Sequence, residues 1–381
     1  MFGNVFKRRK RRILVALSGG VDSSVVALLL KKEGWKVEGV HFLFPLAIDQ
    51  NNSIASSQVL EKSKVIAKEL GIKLQIVDVH KEFTEKVITD FINKHKKGKT
   101  PNPCVVCNKQ VKFKELIALA DSLGISEVAT GHYARKVKVR AKFKGSRIKT
   151  KWFIKRAKDT FKDQSYFLNR LSSATIRRCK FPLGEYLEKE VQLIAYKSGL
   201  PHFTKRESSK GLCFLQGPTG DFLEQHIIEK PGNIVNQDQQ VVGKHQGLAK
   251  YTIGQRKGIK IGDAGPYFII AKDYSKNELR ISNIGDDPEL FKSKIRIRIQ
   301  RSAKKKFLFL EKASKSGQEF RANLYLKIRY GQEGEQVASL NFISAETVIV
   351  NLKHKVRAVT PGQTAVLYDQ GGVLIFGGVI E

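Results

Sequence analysis

A short apolar run, Ile13 to Leu17, ends in Ser18-Gly19-Gly20-Val21-Asp22-Ser23-Ser24 and passes at once into a helical pattern from Asp22 to Lys32. Few folds accept that juncture. Two glycines permit positive φ and close backbone approach, while three serine hydroxyls and the free N–H groups of a helix start can surround phosphate oxygens. The run lacks the Gly-Lys-Ser/Thr ending of a Walker loop, which delivers a γ-phosphate. Asp22 stands where a carboxylate can hold Mg²⁺ against a pyrophosphate. The next segments keep the alternation: a strand from Val37 to Phe42, then a helix from Ser56 to Leu70 and a strand from Leu74 to Val79. Val59, Ser63, Ile66, Ala67 and Leu70 fall on one face of that helix, and Gly71 stops it. The βαβα order predicts an α/β domain with a doubly wound parallel sheet and ligands at the carboxyl ends of its strands.

Farther on, the pattern changes twice. From Arg135 to Lys158 basic and apolar residues alternate without a single acid, which predicts a basic hairpin. From about Lys205 to Gly285 glycines become frequent and strands shorten, the mark of a small connecting domain. Beyond it, Ile295–Ile299, Ala322–Tyr330, Ala338–Phe342, Thr347–Leu352 and Val373–Ile380 read as strands of a C-terminal β-barrel. The expected domains are 1–204, 205–285 and 286–381. Their length suffices for apolar cores without metals or disulfides.

The 381 residues carry 69 Lys and Arg against 36 Asp and Glu, a formal net charge of +33. Such an excess favours a polyanionic partner, although a Lys-rich organism would give the same composition. The run Lys7 to Arg12 reads as a solvated basic flank. No apolar run of about 18 residues and no signal-peptide core is present, so the expectation is a cytoplasmic protein with no membrane partner.

Four cysteines, Cys104, Cys107, Cys179 and Cys213, are too few for a disulfide scaffold. Cys107 follows Thr100-Pro101-Asn102-Pro103-Cys104 and precedes an amphipathic helix expected from about Lys109. A thiol ahead of a helix N-terminus and near Lys109 and Lys112 is expected to have a depressed pKa, which makes Cys107 a candidate nucleophile. A Cys₄ zinc site would need a second Cys-x-x-Cys, which is absent. Cys213 sits in Glu207-Ser208-Ser209-Lys210-Gly211-Leu212-Cys213-Phe214, where a polar loop turns apolar. Taken alone it reads as a core cysteine.

These segments, together with Gly131-His132-Tyr133-Ala134-Arg135, Lys162 to Leu168, Phe181-Pro182-Leu183-Gly184, Tyr251 to Gly258 and Pro361-Gly362-Gln363, resemble in order and over nearly the whole chain the tRNA-specific 2-thiouridylases. The Ser18–Ser24 loop resembles that of the wider ATP pyrophosphatase superfamily. The resemblance implies cleavage of ATP to AMP and pyrophosphate, adenylation of the uridine 2-oxygen at the tRNA wobble position, and sulfur transfer from a persulfide. It further implies Cys107 as nucleophile and Cys213 as persulfide carrier, with a disulfide between them at one stage. ATP contacts would come from Ala16, Leu17, Ser18, Gly19, Gly20, Val21, Asp22, Ser23, Phe42 and Gly131. Asn102, Pro103 and Cys104 would approach the target base, while His132, Lys162, Asp163, Gln164, Arg329, Tyr330 and Gln363 would contact tRNA. Glutamate, glutamine and lysine tRNAs are the implied substrates, with sulfur from a cysteine desulfurase through a carrier protein.

The chain departs from the family at Cys104, where many members have Asp. A proton-transfer role for that Asp does not carry over. Cys104, Cys107 and Cys213 offer a three-thiolate set for an Fe–S cluster as an alternative to a metal-free persulfide route. His132 taken alone reads as a packed histidine, and Asp163 as the cap of a helix starting near Lys162. Two other functions fit part of the sequence: an adenylating enzyme of the lysidine synthetase kind, and a basic RNA-binding protein without catalysis. The cysteines weigh against the first and the intact loop against the second.

Overall fold

The structure, a computed structural model, describes residues 11–45, 53–142, 147–199, 211–215, 217–259, 261, 266–314 and 323–381. Lys7 to Lys10 of the basic flank, Lys144, Glu207 to Lys210, Ala322 and the expected boundary at 204/205 lie outside the described residues.

The N-terminal sheet is built on β1 (Arg12–Ala16), β2 (Lys36–Leu43), β3 (Lys73–Asp78), β4 (Glu127–Ala129) and β7 (Cys179–Lys180), paired in the order β3-β2-β1-β4-β7 and all parallel. The hairpin β5 (Arg135–Ala141) and β6 (Lys149–Lys155) intervenes between β4 and β7 in sequence. Ile13, Leu14 and Val15 of β1 are wholly buried, as a strand covered on both faces must be. Two helices lead between the first three strands, α1 (Val21–Lys32) and α2 (Ser53–Glu69). Ser63, Ile66, Ala67 and Leu70 are buried as expected, but Val59, on the same predicted face, is 41% exposed. From β1 the chain winds outward through β2 and β3, then returns to place β4 on the other side of β1. The crevice at the carboxyl ends of β1 and β4 is therefore the topological switch point, where doubly wound sheets bind ligands.

The middle of the chain forms a four-stranded sheet from β8 (Gly232–Val235), β9 (Val241–His245), β10 (Phe268–Asp273) and β11 (Glu278–Ser282), in the order β10-β11-β8-β9. After it come β12 (Phe291–Ile299), β13 (Leu324–Lys327), β14 (Glu335–Phe342), β15 (Thr347–Arg357), β16 (Thr364–Asp369) and β17 (Leu374–Ile380), which close into an antiparallel barrel, β12-β15-β14-β13-β16-β17. Alternation along β12 sends Ile295, Ile297 and Ile299 into the barrel and Arg296 and Arg298 outward. Helix Arg301–Ser314 and strand β16 are elements that the sequence pattern does not announce.

Barrel and N-terminal sheet share one core. Val366, Tyr368 and Leu374 pack in the same apolar cluster as Leu14, Phe83 and Tyr166. Tyr166 donates its hydroxyl to the Thr364 carbonyl at 2.6 Å, and Ser165 Oγ meets the Tyr368 hydroxyl at 3.0 Å. The Thr100 N–H donates to the Pro361 carbonyl at 2.9 Å. Gly362 has φ +92, and a Cβ there would stand 2.7 Å from the Thr100 nitrogen. Only glycine lets the barrel loop come so close to the cysteine-bearing segment.

Candidate functional site

The phosphate loop is held by its own serines. Ser23 Oγ accepts the Ser18 N–H at 3.1 Å and donates to the Gly20 carbonyl at 3.1 Å, while Ser24 Oγ donates to the same carbonyl at 2.9 Å. Gly19 has φ +73, and a Cβ on it would meet the Val59 carbonyl oxygen at 2.8 Å. A Cβ on Gly131, at the end of β4, would lie 3.1 Å from the Ser23 nitrogen, so this glycine lets β4 reach the start of α1. Behind the loop, His41 Nδ1 donates to the Leu17 carbonyl at 2.9 Å, and Ser63 Oγ lies 2.8 Å from the same nitrogen. Burial lowers the His41 pKa, which keeps the imidazole neutral beside a site built for anions. Asp22 accepts the Tyr133 hydroxyl at 2.8 Å, and burial raises its carboxyl pKa. Its second carboxylate oxygen is left for a cation, so the residues present fit Mg²⁺ held against a bound pyrophosphate.

The cysteine segment differs from expectation. Its helix begins at Pro103, capped by Asn102, whose side chain accepts the Val105 N–H at 3.4 Å. Helical backbone then runs without a break through Pro103–Cys107, a π-helical turn at Asn108–Lys112 and Phe113–Ser122. Cys107 is thus inside the helix and buried in the core with Val106 and Phe113. Burial pushes its thiol up to about 11, against the opposing pull of Lys112, which corrects the expected depression. The helix-start field that was to lower it acts instead on the first turn, at Cys104. Burial raises the Cys104 thiol as well.

A cleft of about 1480 Å³ opens at the switch point and gathers most of the remaining residues. Its walls include Ser18 to Asp22, Asn102, Pro103, Cys104, Lys112, His132, Lys162, Gln164, Cys213, Tyr330 and Gln363. Cys213 is exposed there, while Phe214 beside it is buried among Phe83, Phe91 and Phe222. His132 Nδ1 pairs with Thr130 Oγ1 at 2.9 Å, and burial, aided by the charge of Lys112, lowers its pKa to about 3. The ring is therefore neutral at any physiological pH. Lys162 pairs with Glu188 at 2.8 Å, Gln164 Oε1 accepts the Tyr133 N–H at 3.0 Å, and Tyr330 packs on Phe167 with ring centroids 4.6 Å apart.

Other expected site residues stand back from the cleft wall. Phe42 is packed in the core. Asp163 is 2% exposed, with both oxygens engaged by Arg156, the Ala157 N–H and Ser165. The element that follows is a short 3-10 turn, Ser165–Leu168, whose N-cap position is Gln164, so Asp163 is not the cap of an α-helix. Arg329 donates to the Ala358 carbonyl at 2.6 Å and so supports the barrel loop behind Gln363. Sequence reasoning missed Tyr133, which buttresses Asp22, and Thr100 and Asn108. Thr100 Oγ1 and Asn108 Oδ1 are buried on residues of the cleft wall with no hydrogen-bond partner. The position of Asn108 directly after Cys107 was the available signal.

All four cysteines are free thiols. Among the described residues, no three His, Cys, Asp or Glu side chains are placed to hold a metal ion. The hairpin's Lys136 and Lys138 lie over the Trp152 ring, and its Ala141 and Phe153 are buried with the barrel core. One face of the basic stretch is therefore packed and the other open.

A phosphate loop at a switch point, facing thiols across one cleft and backed by a β-barrel, defines a nucleotide-using enzyme with cysteine chemistry. Residues 11–217 match the family model described as tRNA methyl transferase HUP domain, 220–283 the tRNA methyl transferase PRC-barrel domain, and 293–380 the aminomethyltransferase beta-barrel domain. The tRNA-specific 2-thiouridylase MnmA of Limosilactobacillus fermentum is 37% identical over 364 residues, which cover 94% of this chain and 92% of that protein. The protein of the same name from Bacillus subtilis is 36% identical over 372 residues, 97% of this chain and 95% of its own. The chain belongs to the tRNA-specific 2-thiouridylase family. Among solved structures, the U34-tRNA thiolase NcsA from Methanococcus maripaludis with its 4Fe-4S cluster is 17% identical at a TM-score of 0.35, covering 58% of this chain and 66% of that one. So loose a likeness says nothing about this site.

Proposed function

We propose that the protein thiolates uridine at C2 in the wobble position of tRNA, at the expense of ATP. The observation that carries this reading is the single cleft in which the Ser18–Asp22 loop faces Cys104 and Cys213. A uridine carbonyl is a poor electrophile because its oxygen is a poor leaving group. Attack of that oxygen on the α-phosphorus of ATP releases pyrophosphate along the loop and makes AMP the leaving group; the N3 proton passes to solvent. Asp22 would hold Mg²⁺, which would supply charge neutralisation to the pyrophosphate. The terminal sulfur of a Cys213 persulfide then bonds to C2 and AMP departs. Cys107 thiolate attacks the inner sulfur, so that the electron pair of the S–S bond stays on the outer sulfur as the thiocarbonyl, and a proton returns to N3. The Cys107–Cys213 disulfide left behind is reduced by an external thiol. Bringing the two sulfurs together requires Cys107 to emerge from the core.

Asn102, Pro103 and Cys104, with the unpartnered Thr100 and Asn108 oxygens, form the wall against which the base would lie. His132, Lys162, Gln164, Tyr330 and Gln363 would meet the surrounding anticodon nucleotides, with Asp163 and Arg329 supporting them from behind. Sulfur would arrive from a cysteine desulfurase through a carrier protein, and glutamate, glutamine and lysine tRNAs would be the substrates. The domain division is proposed at 1–204, 205–285 and 286–381. No described helix is long and apolar enough to cross a membrane, and a cytoplasmic location suits a tRNA substrate. The test is nucleoside mass spectrometry of tRNA incubated with the protein, ATP, Mg²⁺ and a persulfide donor. 2-Thiouridine with stoichiometric AMP and pyrophosphate is expected; formation of ADP, or of AMP with no sulfur in the tRNA, would overturn the reading.

A further inference from the structure

Lys112 has no part in the roles assigned above, yet its surroundings are unusual for a lysine. It closes the π-helical turn Asn108–Lys112, in which hydrogen bonds run from residue i to i+5. In an α-helix, residue i+5 lies about 140° around the axis from residue i. The wider π turn brings i+5 back over i, so the interruption of the helix sets Lys112 on the face of Cys107. The Lys112 backbone N–H in turn bonds to Cys107. Single π turns inside α-helices recur at functional sites. This one sits between the cysteines and the amphipathic stretch that anchors them.

The Lys112 side chain lines the cleft with Cys104, Cys213 and His132. Its ammonium stands 5.6 Å from the Phe44 ring centroid, and among the described residues no carboxylate pairs with it. A half-buried cation without a carboxylate is costly unless another anion offsets it. Here the charge neighbours are the sulfurs of Cys107, Cys213 and Cys104. Burial alone would push the lysine down, and the three sulfurs outweigh it and push the lysine up. The other titratable ring nearby, His132, is neutral and cannot take over as the cation.

We propose that Lys112 is the common electrostatic partner of Cys104 and Cys213 in the cleft and of Cys107 behind it, holding whichever sulfur is anionic during sulfur transfer. No bond forms at the ammonium; a thiol that becomes a thiolate gives its proton to solvent, and the lysine stays charged throughout. The use of this field in sulfur transfer rests on the function proposed above, but the effect on thiol acidity does not.

The experiment is therefore alkylation of the full chain by iodoacetamide across pH, without ATP or tRNA, with each cysteine followed by peptide mass spectrometry. Lys112→Met keeps the apolar stem and removes the charge, and Lys112→Arg keeps the charge. A loss of one pKa unit of stabilisation lowers the thiolate fraction about tenfold at neutral pH. Lys112→Met is expected to alkylate Cys104 about tenfold more slowly at pH 7, with the profile displaced to higher pH, while Lys112→Arg follows the parent. Cys179, buried and not part of the cleft wall, is the internal control. Should Lys112→Met fail to fold, Lys112→Gln is read in the same way, and the parent's Cys104 profile is recorded in low and high salt, where screening must displace it upward. Superimposable profiles for parent and a folded charge-removing variant overturn the proposal. A displaced profile in a protein that makes no 2-thiouridine sustains the role of Lys112 and removes only the function built upon it.

Discussion

Replacing Phe214 by Ala tests whether a ring in the core holds a thiol in the cleft. Phe214 is 2% exposed, and its centroid lies 5.7 Å from Phe83, 5.6 Å from Phe91 and 5.8 Å from Phe222, all at steep interplanar angles. The segment around it, 211–215, belongs to no strand or helix, and within it one backbone bond, Leu215 N–H to the Leu212 carbonyl at 2.9 Å, supports a turn. The ring is thus the main anchor of Cys213. Truncation of a buried Phe to Ala costs about 3–5 kcal/mol, including the lost edge-to-face contacts. At about 1.4 kcal/mol per factor of ten, withdrawal of even the lower figure reduces the loop's docking equilibrium constant by about a hundredfold, and its occupancy by as much where docking holds no further reserve. Single-turnover thiolation should fall by that order, while ATP affinity, set at the other end of the cleft by the Ser18–Asp22 loop, holds. Phe214→Leu, which retains most of the apolar volume, should lose about tenfold or less. Urea denaturation establishes that each variant is folded under assay conditions. A folded Phe214→Ala protein that thiolates at the parent rate would show that the ring does not position Cys213, and an equal loss of ATP binding would show that the damage is global.

Gly19→Ala should weaken ATP binding by about tenfold or more in calorimetry, because φ +73 costs a side chain about 1–2 kcal/mol and the added Cβ presses on the Val59 carbonyl; unchanged affinity would remove this loop from the phosphate site. His95, buried against Phe91 and facing the Ala249 carbonyl at 3.3 Å, has its pKa lowered to about 4, first by burial. Its folded pKa lies below the unfolded value near 6.5, so its contribution is complete above about pH 6.5 and is lost as pH falls toward 4, about 3 kcal/mol in all. Urea midpoints at pH 7, 6 and 5 should decline, and less steeply in His95→Asn; equal slopes would contradict the assignment. Lys138→Ala combined with Lys149→Ala, two exposed lysines of the hairpin, should flatten the dependence of log tRNA affinity on log salt by about one to two units, whereas an unaltered slope would leave these lysines merely solvated.

The features legible in the sequence are those encoded locally. The β1 juncture, the parallel sheet and the basic hairpin each depend on neighbouring residues: glycines for a turn, an apolar run for a strand buried on both faces, alternation for a hairpin. Strand β16 is buried at all six positions, so it has no alternation to betray it. Helix Arg301–Ser314 carries the run Lys304-Lys305-Lys306 in its first half, which hides its apolar stripe. The acidity of Cys107 failed for another reason. The positions of Lys109 and Lys112 along the chain are indeed a source of positive charge, but the depth of Cys107 is a property of the whole domain, set by packing against strands far away in sequence. Burial by distant elements opposes ionisation there more strongly than Lys112 favours it. The same contest bears on Asp163, which the fold buries. Its neighbours Lys162 and Gln164 give no sign that Arg156, the Ala157 N–H and Ser165 will close around it. In both places the missing information was which face the fold would cover. That is settled by the barrel docking through Thr364, Tyr368 and Gly362, a contact between segments about two hundred residues apart, across which local pattern has no reach.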